Sequence, residues 1–78
     1  MKIKIAAYGI LRSYLGQNNS TFYVKEFSQP KTIGEIINDI GIPEGMVMLV
    51  AVNDKQKNFD YIPRDEDEIK LIPPISGG

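Results

Sequence analysis

The clearest local signal in this chain is one helical stretch, and it restricts what the rest can do. Thr32 and Glu35 form a Thr-x-x-Glu capping box. Each can satisfy a backbone N–H that the first helical turn leaves free. Ile33, Ile36, Ile37 and Ile40 follow at i, i+3, i+4 and i+7, one apolar stripe. Gly41 stands where a left-handed C-terminal cap is wanted, and Pro43 blocks continuation. The pattern predicts a helix over residues 32–40 with one face to bury. No other segment offers a comparable helix, so the stripe must lie on a sheet.

The flanking segments supply that sheet. Residues 2–8 place Ile3, Ile5 and Ala7 on one face and Lys2, Lys4 and Ala6 on the other, a strand with one buried side. Residues 9–16, with Ile10, Leu11, Tyr14 and Leu15, suggest a short helical turn ended by Gly16. Residues 17–20 are a polar turn, and residues 21–27 are rich in β-branched and aromatic side chains, a second strand. Residues 46–52 are apolar throughout and predict a strand covered on both sides or central in its sheet. Asn53-Asp54 is a turn, residues 59–62 a short strand or an irregular crossing, and residues 63–67 a polar turn. Residues 68–72 alternate Ile69 and Leu71 against Lys70, a last strand. The order β, β, α, β, short β, β gives an α+β fold of the β-grasp, or ubiquitin-like, kind. In it a small mixed sheet is covered by one main helix. The expected division is a domain over residues 1–72 and an extended tail over residues 73–78.

Composition removes most chemistry. Of 78 residues none is Cys and none is His. Disulfides, thiolate ligands, persulfides, imidazole bases and His-bound zinc are therefore excluded. The net charge of −1 gives no general attraction for nucleic acid or an anionic membrane. No apolar run approaches the ~18 residues of a membrane span. Met1-Lys2-Ile3-Lys4 alternates charge and hydrophobicity, unlike a signal peptide, so the expected compartment is the cytoplasm.

What remains is the C-terminus, Pro73-Pro74-Ile75-Ser76-Gly77-Gly78. The prolines favour an extended path, and six residues at ~3.1–3.3 Å each reach roughly 20 Å past the last strand. Gly77 and Gly78 carry no side chains, so the end is thin enough to enter a narrow channel. The competing reading is an inert terminus or a linker scar, which would not usually begin with Pro-Pro and an apolar Ile75. A free carboxylate is a poor electrophile, so acyl chemistry at Gly78 needs activation, most simply as an acyl-adenylate. The chain has no Walker-type phosphate loop, which assigns the use of ATP to a partner.

Residues 71–78, preceded by Asp67-Glu68-Ile69, resemble the C-terminus of molybdopterin synthase small subunits. Those proteins are ubiquitin-like sulfur carriers, as is the thiamine sulfur carrier. Residues 8–16, Thr32-Ile33-Gly34-Glu35 and Val50-Ala51-Val52-Asn53 match as well, so the resemblance spans nearly the whole chain. It implies that a ubiquitin-activating-like adenylyltransferase activates Gly78 with ATP and that a sulfurtransferase supplies the sulfur of a thiocarboxylate. The tail residues Ile75, Ser76, Gly77 and Gly78 would then enter the large catalytic subunit of molybdopterin synthase. There the sulfur would pass to a cyclic pyranopterin precursor in molybdenum cofactor biosynthesis. The small subunit is a sulfur donor and not a complete enzyme; it binds no cofactor or metal, and its partners include no nucleic acid or membrane. Tyr8, Arg12 and Ile72, with Pro73 and Pro74, occupy positions that meet partner proteins in that family; local packing is the alternative for Tyr8 and Ile72. Two departures fall on turns: Glu66 stands where the family often has Gly, and Asp54 follows Asn53 where Gly is common. Tyr61-Ile62-Pro63-Arg64 is similar to thiamine carriers, so the thiamine pathway stays open beside cysteine and tRNA thiolation. A ubiquitin-like modifier and a plain binding module are the remaining classes.

Other residues have simpler readings. The acidic run 65–68 lacks EF-hand spacing and is expected to be a solvated turn. Ser13, Ser20 and Thr21 have no histidine base. Met46 and Met48 are expected to pack in the core. Lys70, beside the tail, is a solvated strand residue or a charge that steers an acidic partner.

Overall fold

The computed structural model describes residues 1–15 and 23–74. Five strands form one mixed sheet: β1 (Lys2–Ala7), β2 (Tyr23–Glu26), β3 (Leu49–Val52), β4 (Lys55–Lys57) and β5 (Glu68–Ile72). Their spatial order is β2-β1-β5-β3-β4. The central strands β1 and β5 are parallel, with Lys4 opposite Glu68 and Ala7 opposite Leu71, and the other pairings are antiparallel. This is the β-grasp expected from the element order.

One helix, α1 (Ile33–Ile40), covers one face. Its capping box is complete: Thr32 accepts from the Glu35 N–H at 3.1 Å, and Glu35 accepts from the Thr32 N–H at 2.8 Å. The next two N–H groups are satisfied from outside the helix. Ile33 donates to the Tyr61 carbonyl and Gly34 to the Phe59 carbonyl, each at 2.9 Å. So residues 59–62 form the irregular crossing, not the strand, and that crossing closes the helix start. At the other end Gly41 adopts φ 96 and Ile42 donates back to Ile37, a left-handed cap.

Ile33, Ile36 and Ile37 of α1 meet Ile3, Ile5, Ala7, Val50, Val52, Ile69 and Leu71 of the sheet in the core. A 3-10 helix, Gly9–Leu15, adds Leu11 and Leu15 from its buried side and leaves Ile10 outside. Ala6 faces away from α1 as its alternation requires, yet it too is buried.

Four expectations change. The run 46–52 is not covered on both sides: β3 begins only at Leu49, and Met48 and Leu49 are 63% and 39% exposed. Helix α1 covers one face of the sheet only, and β5, not β3, is central. Met48 therefore leaves the core, while Met46 stays partly buried against it. The short fourth strand is Lys55–Lys57, folded back on β3 by the Asn53-Asp54 turn. Finally, the acidic run 65–68, expected to be a solvated turn, is not simply solvated, and neither is the polar turn 63–67 that overlaps it. Pro63 is fully buried, and Asp67 is buried with its carboxylate accepting from Asn53 Nδ2 at 2.9 Å and the Arg64 N–H at 2.8 Å. The strand expected over residues 21–27 is observed as Tyr23–Glu26; the polar turn at 17–20 lies outside the described residues. Among the described residues no helix is long and apolar enough to cross a membrane.

Candidate functional site

The candidate site is the root of the C-terminal tail. Because β1 and β5 run in parallel, the residues that follow them emerge side by side at one end of the sheet. The Tyr8 N–H donates to the Leu71 carbonyl at 3.1 Å, and on the other flank the Met48 N–H donates to the Ile72 carbonyl at 2.8 Å. The end of β5 is thus held from both sides. Gly9 sits next to Pro73 at φ +59, and a Cβ there would lie 3.0 Å from Pro73 Cγ. A side chain at position 9 would be strained twice, by its backbone and by its neighbour.

Side-chain direction follows from the register. Leu49 lies opposite Ile72, and Ala51 opposite Lys70. Lys70 in turn lies opposite Ala6. All of these point away from α1. At the tail end of that outer face Tyr8 (43% exposed), Ile72 and Leu49 form an apolar row, with the exposed Met48 beside it. Pro73 and Pro74 continue from Ile72 to the surface.

Of the residues singled out in the sequence, Tyr8, Ile72, Pro73 and Pro74 come together here. Arg12 is exposed on the 3-10 helix that packs beside β5, outside the row. Ile75, Ser76, Gly77 and Gly78 lie outside the described residues. Leu49 and Met48 were not anticipated. Their signal was present: with Val50 and Val52 inward, a period of two turns Leu49 and Ala51 outward. A continuous apolar run conceals that period.

One charge borders the row. Lys70 Nζ bonds Asp54 Oδ1 at 2.8 Å. That hydrogen bond and the charge of Asp54, with a smaller contribution from Tyr8, raise the Lys70 ammonium above its ordinary value. The same hydrogen bond lowers the Asp54 carboxyl.

The ThiS family profile matches residues 10–78. The chain belongs to the ThiS family. No curated protein matches it in sequence. Its fold is shared by SAMP1 from Haloferax volcanii, at 17% identity and a TM-score of 0.71 with 100% of both chains covered. A Pyrococcus furiosus protein named as putative molybdopterin converting factor subunit 1 gives 19% identity and a TM-score of 0.71, over 95% of this chain and 98% of that one. The complex of subunits 1 and 2 of molybdopterin-converting factor from Helicobacter pylori gives 21% identity and a TM-score of 0.61, with 100% of both chains covered. This ThiS-family chain is a ubiquitin-like sulfur carrier.

Proposed function

We propose that the chain is the sulfur-carrier subunit of molybdopterin synthase. The Gly78 carboxylate attacks the α-phosphate of ATP within an adenylating partner, giving an acyl-adenylate and releasing pyrophosphate. The terminal sulfur of a sulfurtransferase persulfide then attacks the acyl carbon and AMP leaves; a second thiol cleaves the resulting acyl persulfide by disulfide exchange, which releases the thiocarboxylate and leaves a disulfide on the donor side. The chain's own residues present the end. Ile72 is fixed between β1 and β3, Pro73 and Pro74 stiffen the exit, and Ile75, Ser76, Gly77 and Gly78 form the thread that enters the large subunit. Tyr8, Leu49, Ile72 and, to one side, Arg12 face the receiving protein. The sulfur passes to a cyclic pyranopterin precursor, and catalysis of that transfer resides in the large subunit.

The observation that carries this reading is the Pro-Pro-Ile-Ser-Gly-Gly end on a strand clamped from both sides, in a ThiS-family chain without cysteine. With no thiol to hold a persulfide, sulfur can ride only on the terminus. The complex of subunits 1 and 2 in Helicobacter pylori supports a large-subunit partner. Incubation with activating enzyme, ATP and a sulfur donor is expected to add about 16 Da, one oxygen replaced by sulfur. An unchanged mass, under conditions where a known carrier reacts, would overturn it.

A second reading, a modifier joined to target lysines, is favoured by the likeness to the small archaeal modifier protein 1 of Haloferax volcanii. It predicts higher-mass conjugates of a tagged chain in cells, which a dedicated sulfur carrier does not form.

A further inference from the structure

Lys70 stands on the outer face of the central strand, between Ala6 and Ala51. Neither alanine is tall enough to screen it. Its ammonium is held at 2.8 Å by Asp54, at the tip of the β3–β4 hairpin. Asp54 adopts φ 70 as the second residue of a turn whose first, Asn53, has φ 52. Gly is the default at that second position, because both φ values are positive. Asp tolerates it better than most residues but not freely. The Asp54 side chain is 81% exposed, and ion pairs at such exposure add little to stability. The hairpin therefore keeps an unfavourable residue for a pair that the fold hardly needs. Retained strain of this kind marks places where geometry serves a contact.

The surroundings say which contact. Toward the tail the row is apolar, with Tyr8, Ile72 and Leu49. Away from it, Lys4 and Glu68 stand opposite each other in the next row. Among the described residues Asp54 is the one acceptor bonded to the ammonium, which leaves donors for a second.

We infer that Lys70, held in place by Asp54, is a specificity-determining contact that meets a carboxylate on the protein receiving the tail, while Tyr8, Leu49 and Ile72 meet apolar surface around it. This rests on the carrier reading and specifies the chemistry of its partner. Lys70 acts in docking, and Asp54 is its positioning residue.

The test measures association of the full-length chain with purified large subunit of molybdopterin synthase at low and high salt. At low salt Lys70→Gln is expected to slow association about threefold and Lys70→Glu about tenfold, with both effects shrinking as salt rises. Asp54→Gly is expected to raise the melting temperature of the free chain while weakening the complex. A purely structural pair gives the reverse, a less stable chain that binds as before, and that result overturns the inference. So does wild-type-like association of both Lys70 variants at low salt. If the wild-type chain itself fails to bind the large subunit, the carrier reading fails and this inference with it.

Discussion

At the scale of single residues, the two departures from the sulfur-carrier pattern turn out to share a cause. Asp54 and Glu66 both replace an expected glycine, and both adopt positive φ, 70 and 72. The backbone holds the conformation that glycine would prefer while a side chain bears the strain. For Asp54 that side chain has a partner in Lys70. The Glu66 carboxylate has no hydrogen bond or ion pair among the described residues, although its N–H donates to the Lys2 carbonyl at 2.7 Å. Glu66→Gly keeps that backbone bond and relieves a left-handed penalty of about 1–2 kcal/mol. The added freedom of glycine in the unfolded chain offsets about 0.4–1 kcal/mol. The expected net is a gain of roughly 0.5–1 kcal/mol, seen as a rise of a few degrees in melting temperature. A lower melting temperature would show that the Glu66 side chain makes a contribution of its own.

At the scale of elements, the sheet is protected at both open edges by the same device. Lys25 of β2 lies opposite Ile3, and Lys57 of β4 opposite Val50, so both point to the helix side of the sheet. Each ammonium sits over an aromatic ring, Lys25 at 5.6 Å from the centroid of Phe27 and Lys57 at 4.7 Å from that of Tyr61. Inward-facing charges on edge strands oppose pairing with a second molecule. The double variant Lys25→Val, Lys57→Val is expected to fold and then to scatter light on mild heating at concentrations where the parent stays clear. Equal scattering would mean that strand shortness alone guards the edges. These edges also mark what was legible in the sequence. Helix α1 was readable because its cap, stripe and stop are all local, and β1 and β5 because alternation survives with one face buried. Strand β4 was not, since Lys55-Gln56-Lys57 has no apolar period and becomes a strand only when the turn lays it against β3. The exposure of Met48 and Leu49 was hidden for the opposite reason, because apolar residues on an interaction face look like core. Asp67 looked solvated because nothing local announces a bond to Asn53, fourteen residues away. Of the candidate site, the tail could be read as residues, but its apolar surround depends on a register that the sequence does not display.

At the scale of the whole molecule, the parallel pairing of β1 with β5 makes the tail root a long-range construction. Tyr8 and Gly9 meet Leu71 and Pro73 only because the helical crossover and the hairpin between them bring two distant strands together in the same direction. The exit direction of the tail is thus coupled to the folding of the entire sheet, and Gly9 is where the coupling is tightest. Gly9→Ala should cost about 1–2 kcal/mol through its φ of +59 alone. At about 4–8 °C per kcal/mol for a domain of this size, that lowers the melting temperature by roughly 4–16 °C. Its Cβ must also displace Pro73, so the variant carries two penalties that one melting curve cannot separate. Pro73→Ala removes the Cγ that this added Cβ would meet and leaves the φ strain untouched. In a double-mutant cycle the pair is therefore expected to couple favourably, by roughly 0.5 kcal/mol or more. Simple additivity would mean that Pro73 swings aside at no cost, and the root of the tail would then be a loose hinge whose direction the fold does not set.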